Sequence, residues 1–376
     1  MPYGQVLVDT VKDSLNNVLA PASAVFRNRI INGAMVIDQR NAGASVATSS
    51  GTSVYTVDRW AAIYSQTSKF TIQQLTTTPP TGYTNYLGIT SSSAYTVGAS
   101  EQFNIFQAIE GYNIADLGWG TANAKTVTLS FWVQSSLTGI FGGVLSNNGK
   151  ARTYPFTYTI SSANTWTPIS LTIAGDTSGT WNTTNSVGMY VVFGLGVGAT
   201  VSATAGSWNG AGSIFGATGA TSVVGTNGAT FYITGVQLEV GTNASNFDYR
   251  PYGTELALCQ RYYEMYPSMA YRNSNGTIIS AGTLFGYMVN TLVGFSGGTG
   301  TQASISSSFK VEKRATPTVT VSTRSTAYTN QVETRGGNTV YSFLDKTTSG
   351  VTVIANQTTG GSDCYIGYGY EASAEL

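Results

Sequence analysis

The segment TVTLSFWV at residues 126–133 decides the fold class, because its side chains alternate between a largely polar and an apolar set. Successive side chains of a strand point to opposite faces, so a two-residue period predicts a β-strand with one buried face. The predicted buried set is Val127, Leu129, Phe131 and Val133, and the predicted outward set is Thr126, Thr128, Ser130 and Trp132. We interpret Trp132 as structural, since it lies within an alternating strand.

Similar segments recur along the chain, separated by Gly, Asn and Thr-Ser turns, and predict a two-sheet sandwich of the jelly-roll type. Residues 230–240 fit the same period if Gly235 marks a β-bulge. The predicted strands are Val54–Tyr64 (with Trp60 in the core), Phe70–Leu75, Phe103–Ile109, Thr126–Val133, Thr153–Ile160, Thr167–Ile173, Val187–Phe193 and Thr230–Val240, preceded by strand material at Arg29–Gly33 and Met35–Arg40 around an Asn-Gly turn.

Charged residues make up only 10% of the 376 residues, so few are available for helix surfaces, and the composition as a whole predicts an all-β protein. Lys plus Arg number 18, as do Asp plus Glu, so the formal net charge is zero. With no basic run, we expect no nucleic-acid partner. The absence of histidine excludes Ser-His-Asp and Cys-His catalysis.

One helical segment interrupts the β pattern at residues 254–266. Thr254 is the predicted N-cap, Leu256, Cys259 and Tyr263 share one face, and Pro267 ends the helix near Tyr266. We expect Cys259 to be a small buried apolar side chain. A second, smaller β-sandwich domain is predicted to follow, with strands at Thr277–Ser280, Leu284–Leu292, Ala303–Phe309, Thr318–Ser322, Val340–Leu344, Val351–Ala355 and Cys364–Tyr370.

The predicted organisation is therefore an arm at residues 1–28, a jelly roll at residues 29–253, and a helix with a C-terminal β domain at residues 254–376. The first residues lack the cationic start and apolar core of a signal peptide, and we expect no membrane insertion. The low-complexity stretch Gly194–Gly228 is either a functional loop or a segment that packs on its own sandwich or on another subunit.

Three blocks of sequence resemble a recurrent tail-fibre and virion-protein module of tailed bacteriophages. They are NRIINGAMVIDQRNAGAS with YTVDRW, then FYITGVQLEVG with FDYRPYGTELALCQRYYEMY, and finally RATPTVTV with the ending YEASAEL. The first residues, MPYGQVLVDTVKDS, are similar to leaders of phage fibre-like proteins. The resemblance implies a jelly roll like that of carbohydrate-binding modules, carried on a virion as a homotrimer.

Candidate binding residues follow from the chemistry of sugars, whose apolar faces stack on aromatic rings. Trp181 and Trp208 lie in turn-like contexts and are predicted to be exposed glycan-binding residues, with packing or an intersubunit contact as the alternative. Asp38 and Glu239 are weak candidates for a structural calcium ion, and otherwise are hydrogen-bonded surface carboxylates. No other cofactor is expected. The remaining carboxylates are scattered, and we interpret Asp58 with Arg59 as a strand-edge pair.

The sequence therefore predicts a non-enzymatic structural protein of a phage virion, made in the host cytoplasm, that contacts host-surface polysaccharide. Residues 1–28 are expected to bind other virion proteins. A capsid or tail decoration protein is the alternative, and a glycan depolymerase is a third hypothesis because sequence does not exclude a pair of carboxylates meeting in space.

Overall fold

The computed structural model describes residues 26–48, 53–266, 302–322, 337–356 and 361–376, with the backbone pairing of short segments at 11–12, 18–19, 288–297 and 331–334. In the N-terminal segment, β1 (Val11–Lys12) pairs with β2 (Val18–Leu19). The strand predicted at Thr277–Ser280 and most of the predicted arm lie outside the described residues.

Two six-stranded antiparallel sheets form a sandwich. The strands are β3 (Val46–Ala47), β4 (Ser53–Tyr55), β5 (Ala61–Tyr64), β6 (Phe70–Leu75), β7 (Tyr86–Ser91), β8 (Gln102–Glu110), β9 (Val127–Ser135), β10 (Gly139–Asn147), β11 (Thr153–Ile160), β12 (Thr167–Ile173), β13 (Val187–Val197), β14 (Ser202–Ala203), β15 (Gly216–Ala217) and β16 (Thr230–Val240). Sheet 1 has the order β11-β10-β13-β8-β5-β4, and sheet 2 has the order β12-β9-β16-β7-β6-β3. Successive strands cross repeatedly between the sheets, as in a jelly roll, and the predicted all-β fold is confirmed.

The main core lies between the two sheets. Phe131 of β9 and Phe193 of β13 meet edge to face at 5.0 Å between ring centroids, and Trp60 lies 6.3 Å from Phe193. All three are at most 2% exposed. The buried set predicted for residues 126–133 is confirmed, as is the core position of Trp60.

Four of the strands predicted for the sandwich coincide residue for residue with β6, β11, β12 and β16, whereas β7 and β10 had no predicted counterpart. The single strand predicted at Val54–Tyr64 is wrong. It is a hairpin of β4 and β5 around a turn, closed by a hydrogen bond from the Thr56 N–H to the Trp60 carbonyl at 3.0 Å.

The strands predicted on either side of the Asn-Gly pair at residues 32–33 are also wrong, because this segment consists of turns and extended chain. Side chains satisfy its backbone instead. The Gln107 amide bonds both the N–H and the C=O of Ile31, at 2.8 and 2.7 Å, and the Asn32 amide does the same for Ile37, at 3.0 and 2.8 Å. A buried segment needs no sheet ladder when side chains pair its polar groups.

The C-terminal region contains one helix and a second set of antiparallel strands, which are linked through the long strand β24. This region has a small hydrophobic core of its own. Val321 and Val353 are fully buried in it, and Tyr370 packs in the same cluster. The predicted β character after the helix is thus confirmed, and the described strands connect into one eight-stranded sheet. The elements are α1 (Tyr252–Gln260), β17 (Tyr263–Tyr266), β18 (Met288–Gly297), β19 (Gln302–Ser308), β20 (Thr318–Ser322), β21 (Gln331–Thr334), β22 (Gly337–Lys346), β23 (Gly350–Asn356) and β24 (Gly361–Ser373).

Helix α1 is shorter than predicted. It ends at Gln260, and Tyr263–Tyr266 forms β17, which pairs with β24. Aromatic residues favour strands, and here the pairing with β24 outweighs the local helical spacing. Thr254 is not the N-cap, since Pro251 holds that position without a side-chain hydrogen bond. Cys259 is fully buried as predicted. The exact domain boundaries stay a prediction.

A junction of buried charges joins the C-terminus to the sandwich. Glu375 accepts hydrogen bonds from Arg59 and, at 2.8 Å, from Arg40. The two guanidinium groups stack on the rings of Tyr262 and Tyr263, at 3.6 and 3.7 Å. Both arginine side chains are at most 10% exposed, so the carboxylate offsets charge that water does not reach.

Two more ion pairs extend this junction. Arg261 donates two hydrogen bonds to Glu110, at 3.1 and 2.7 Å, and Tyr262 adds a third at 2.7 Å. Lys313 donates to Glu264 at 2.6 Å, and both side chains are at most 1% exposed. Arg261, Tyr262 and Glu264 lie in one of the sequence blocks quoted above and Lys313 directly precedes another, whereas Glu110 lies outside them.

The junction corrects the interpretation of Asp58 and Arg59 as a strand-edge pair. Both are buried in a turn and bond to other partners. Asp58 accepts from the Gln39 main chain at 3.1 Å and side chain at 2.5 Å, and Arg40 lies 3.4 Å away. Burial raises the pKa of Asp58 to about 7, although Arg40 acts in the opposite direction.

Candidate functional site

The outer faces of the two sheets differ. Residues 199–224 pack over the outer face of sheet 1, where β15 lies on β10 and β13. A side chain at Gly142 of β10 would meet the Cβ of Ala217 at 2.8 Å. Farther along, Val223 and Val224 enter the core. The structure therefore shows that the low-complexity stretch packs on its own sandwich, which was one of the predicted alternatives.

The outer face of sheet 2 carries a row of aromatic side chains, which we call the aromatic face; Tyr86 is buried, and the others are partly exposed. Because Leu129, Phe131 and Val133 point inward, Ser130 and Trp132 point outward. Across the sheet, the rings of Tyr86, Trp166 and Tyr232 lie within 6.5 Å of one another. The aromatic face consists of Tyr83, Tyr86, Trp132, Trp166, Tyr232 and Phe247.

One end of the aromatic face forms a groove of about 430 Å³. Its floor comes from β9 and β12, and one wall comes from the loop that follows β16. A volume of this size falls within the usual range for small-molecule sites. The groove is lined by Tyr83, Ser130, Phe131, Trp132, Pro168, Ile169, Ser170, Gly235, Ala244, Ser245, Asn246 and Phe247.

A β-bulge in β16 shapes this groove, as the sequence predicted for Gly235. Gly235 has a φ of 62°, in the left-handed region that favours glycine. A Cβ there would lie 2.5 Å from the hydroxyl oxygen of Tyr83. Glycine therefore permits both the bulge and the approach of the Tyr83 ring to the sheet.

Tyr83 is held among aromatic partners. Its ring centroid lies 5.4 Å from that of Phe247 and 5.7 Å from that of Tyr249. Burial raises the pKa of Tyr83, Tyr249 raises it further, and Trp132 lowers it by a hydrogen bond to the hydroxyl. The Tyr83 hydroxyl thus keeps its proton at neutral pH and remains able to donate.

A second groove of about 260 Å³ shares Tyr83 and Phe247 with the first. It leads to Tyr249 and Tyr252, which are 57% and 61% exposed. Exposed rings beside a groove are suited to stacking on flat apolar ligands.

The predicted glycan-binding residues Trp181 and Trp208 lie at another place, together with Trp119. Trp181 is only 7% exposed, which makes the expectation of an exposed ring wrong. Its ring centroid is 4.7 Å from Trp119 and 5.6 Å from Trp208. Its indole donates to Asp176 at 3.2 Å, and that of Trp208 donates to the Ala174 carbonyl at 2.8 Å. Glycan binding by either residue stays a prediction.

The calcium candidates Asp38 and Glu239 each accept hydrogen bonds from the protein. Asp38 accepts from the N–H groups of Asn41 and Gly43, at 2.9 and 2.7 Å. Glu239 accepts from Gln237 at 2.8 Å and from the nearby Ser245. Both carboxylates are buried rather than at the surface. In the described ranges, no group of three or more Asp, Glu, His or Cys side chains is placed to hold a metal ion.

Sequence reasoning missed Trp132 as a site residue, although the signal was present. The same alternation that buried its neighbours placed this large ring on the outward, polar side of β9.

No protein-family model matches the chain, and no curated protein matches it. Solved structures that match part of the chain include the enzymatically active domain of tailspike protein 4 from bacteriophage CBA120, at 11% identity and a TM-score of 0.30, covering 57% of this chain and 22% of that one. The family 11 carbohydrate-binding module from Clostridium thermocellum is 8% identical with a TM-score of 0.28, covering 54% and 97%. The CBM22-1–GH10 modules of xylanase 10B from the same organism are 12% identical with a TM-score of 0.28, covering 56% and 30%.

The chain spans about a fifth of the tailspike domain that it matches. Among the residues that the structure describes, no helix has the length and apolar character needed to cross a membrane.

Proposed function

We propose that this chain is a structural protein of a tailed-phage virion that binds host-surface glycans through the groove on its aromatic face. The groove carries the proposal, because it combines rings at Tyr83, Trp132 and Phe247 with the hydroxyl of Ser170 and the amide of Asn246. Sugar rings stack on such aromatic faces, while their hydroxyl groups need polar partners.

The sequence blocks that resemble phage fibre proteins support the virion assignment. In this proposal the chain is a homotrimer made in the host cytoplasm, and residues 1–28 attach it to other virion proteins. Its role is binding without turnover, and the residues that line the groove include no pair of carboxylates.

A capsid or tail decoration protein is the second candidate. The absence of long repeats and heptads from the sequence favours a compact knob rather than a shafted fibre. A decoration protein would bind purified capsids and raise their resistance to heat, whereas a receptor-binding protein would bind host cells when isolated.

The test is the binding of the purified chain to host cells and to their extracted surface polysaccharide. We expect Trp132→Ala to weaken binding about tenfold or more, as for the loss of one stacking ring. Phe106→Ala is the matched control, because Phe106 is a half-buried aromatic residue on the outer side of sheet 1. Equal binding by both variants and the wild type would refute the proposed site.

A further inference from the structure

The groove on the aromatic face has a lining without charge. Aromatic, aliphatic, hydroxyl and amide side chains line it, and no Asp, Glu, Lys or Arg is among its twelve lining residues. Electrostatic complementarity selects partners mainly by excluding wrong ones, so an uncharged lining is itself a source of selectivity.

Of the charged groups near the groove, Glu239, Arg250 and Glu255 are engaged within the protein, whereas Arg27 keeps its positive charge at the rim. The Glu239 carboxylate is 4% exposed and bonds to Gln237 and Ser245. In the adjoining groove, Arg250 faces Glu255 at 3.3 Å, so this pair presents no net charge. Arg27 reaches the rim, where it donates to the Asn246 main-chain oxygen at 3.3 Å.

A ligand carboxylate or phosphate in this groove would lose water without gaining a cation on the floor. A ligand charge that loses water without gaining a partner opposes binding. An uncharged sugar loses water only from its hydroxyl groups, which the serine and asparagine side chains satisfy.

We propose that the groove selects uncharged glycan segments and excludes those whose bound residues carry carboxylate or phosphate groups. This inference rests on the proposed glycan-binding function. Since the Tyr83 hydroxyl keeps its proton and the chain has no histidine, binding is independent of pH near neutrality. It is also independent of salt, because no ion pair forms on binding.

The test is affinity electrophoresis of the full chain in gels that contain neutral polysaccharides (a glucan, a mannan and a galactan) or acidic ones (polygalacturonate and alginate). We expect retardation in at least one neutral gel, changed less than about twofold by about 0.5 M NaCl, and none in the acidic gels. We expect Ser170→Glu on the groove floor to weaken that retardation about tenfold. Thr159→Glu, at an exposed position on β11 of sheet 1, is the matched control and should leave it unchanged.

The chain could instead be retarded only in acidic gels, in a way that is sensitive to salt and lost in Trp132→Ala. That result would overturn this inference and leave the proposed function standing. If Trp132→Ala and the wild type were retarded equally, both this inference and the proposed function would be overturned. The same holds if the chain were retarded in no gel and did not bind host polysaccharide. Ser170→Lys adds a separate check, because a cation on the floor should create salt-sensitive binding to polygalacturonate.

Discussion

The junction and the aromatic face use opposite chemistry in a chain that has few charges. At the junction, Glu375, Arg40 and Arg59 are buried and paired across distant parts of the sequence. On the aromatic face, the groove is lined without a charge. Ionic groups therefore hold the junction together, whereas neutral rings and hydroxyl groups line the groove of the proposed binding site.

The strongest test of the comparison removes the carboxylate at the junction. We expect Glu375→Ala to lower the free energy of unfolding by about 3–5 kcal/mol, because Arg40 and Arg59 stay buried without their partner. Chemical denaturation measures this loss. Glu312→Ala is the control, since Glu312 is exposed and accepts a hydrogen bond from the Thr348 hydroxyl at the surface. A loss below about 1 kcal/mol, like that of a surface pair, would contradict the role of the junction.

The fold was largely predictable because strand period is a local property. Residues 70–75 and 230–240 alternate clearly and gave exact strands. Strand β10 was missed because Gly142 and Gly143 break the apolar pattern, and the need for these glycines arises from Ala217 and Phe156, which pack against them. The turns at residues 28–40 were misread because distant side chains satisfy their backbone.

The site was less predictable than the fold. Turn-like context suggested exposure for Trp181 and Trp208, but tertiary packing gathers them with Trp119. Exposure depends on what covers a ring, and local sequence does not contain that information. The groove likewise depends on the bulge at Gly235 and on the loop after β16, which meet only in the folded chain.

A second test asks whether the two kinds of aromatic cluster are distinct. We expect Trp181→Ala to cost about 3 kcal/mol of stability, since a buried ring and its hydrogen bond to Asp176 are lost. Trp166→Ala, on the aromatic face, should cost less because that ring is only half buried. Thermal and urea denaturation measure both. If the two losses were equal, the tryptophan cluster would be no more structural than the aromatic face.

The third test uses pH to isolate one junction carboxyl group. Burial raises the pKa of Asp58 from its ordinary value of 3.8 to about 7 in the folded chain. Folding therefore favours its protonated form, and this stabilisation is lost as the pH rises through about 7. Relative to Asp58→Asn, which cannot titrate, the wild type should lose on the order of 2 kcal/mol between about pH 5 and pH 8.

The sign of this third effect separates Asp58 from Glu110 of the same junction. The pKa of Glu110 is lowered, because hydrogen bonds from Arg261 and Tyr262 outweigh the effect of burial, so its contribution is lost only as the pH falls below the ordinary range of a carboxyl group. Above about pH 5 that group stays ionised in both proteins, so its contribution cancels in the difference between wild type and Asp58→Asn. A difference in urea midpoints that is constant from about pH 5 to pH 8 would mean that Arg40 and Gln39 keep Asp58 ionised throughout. The junction would then be a fully ionic structure, and its contrast with the neutral groove would be greater still.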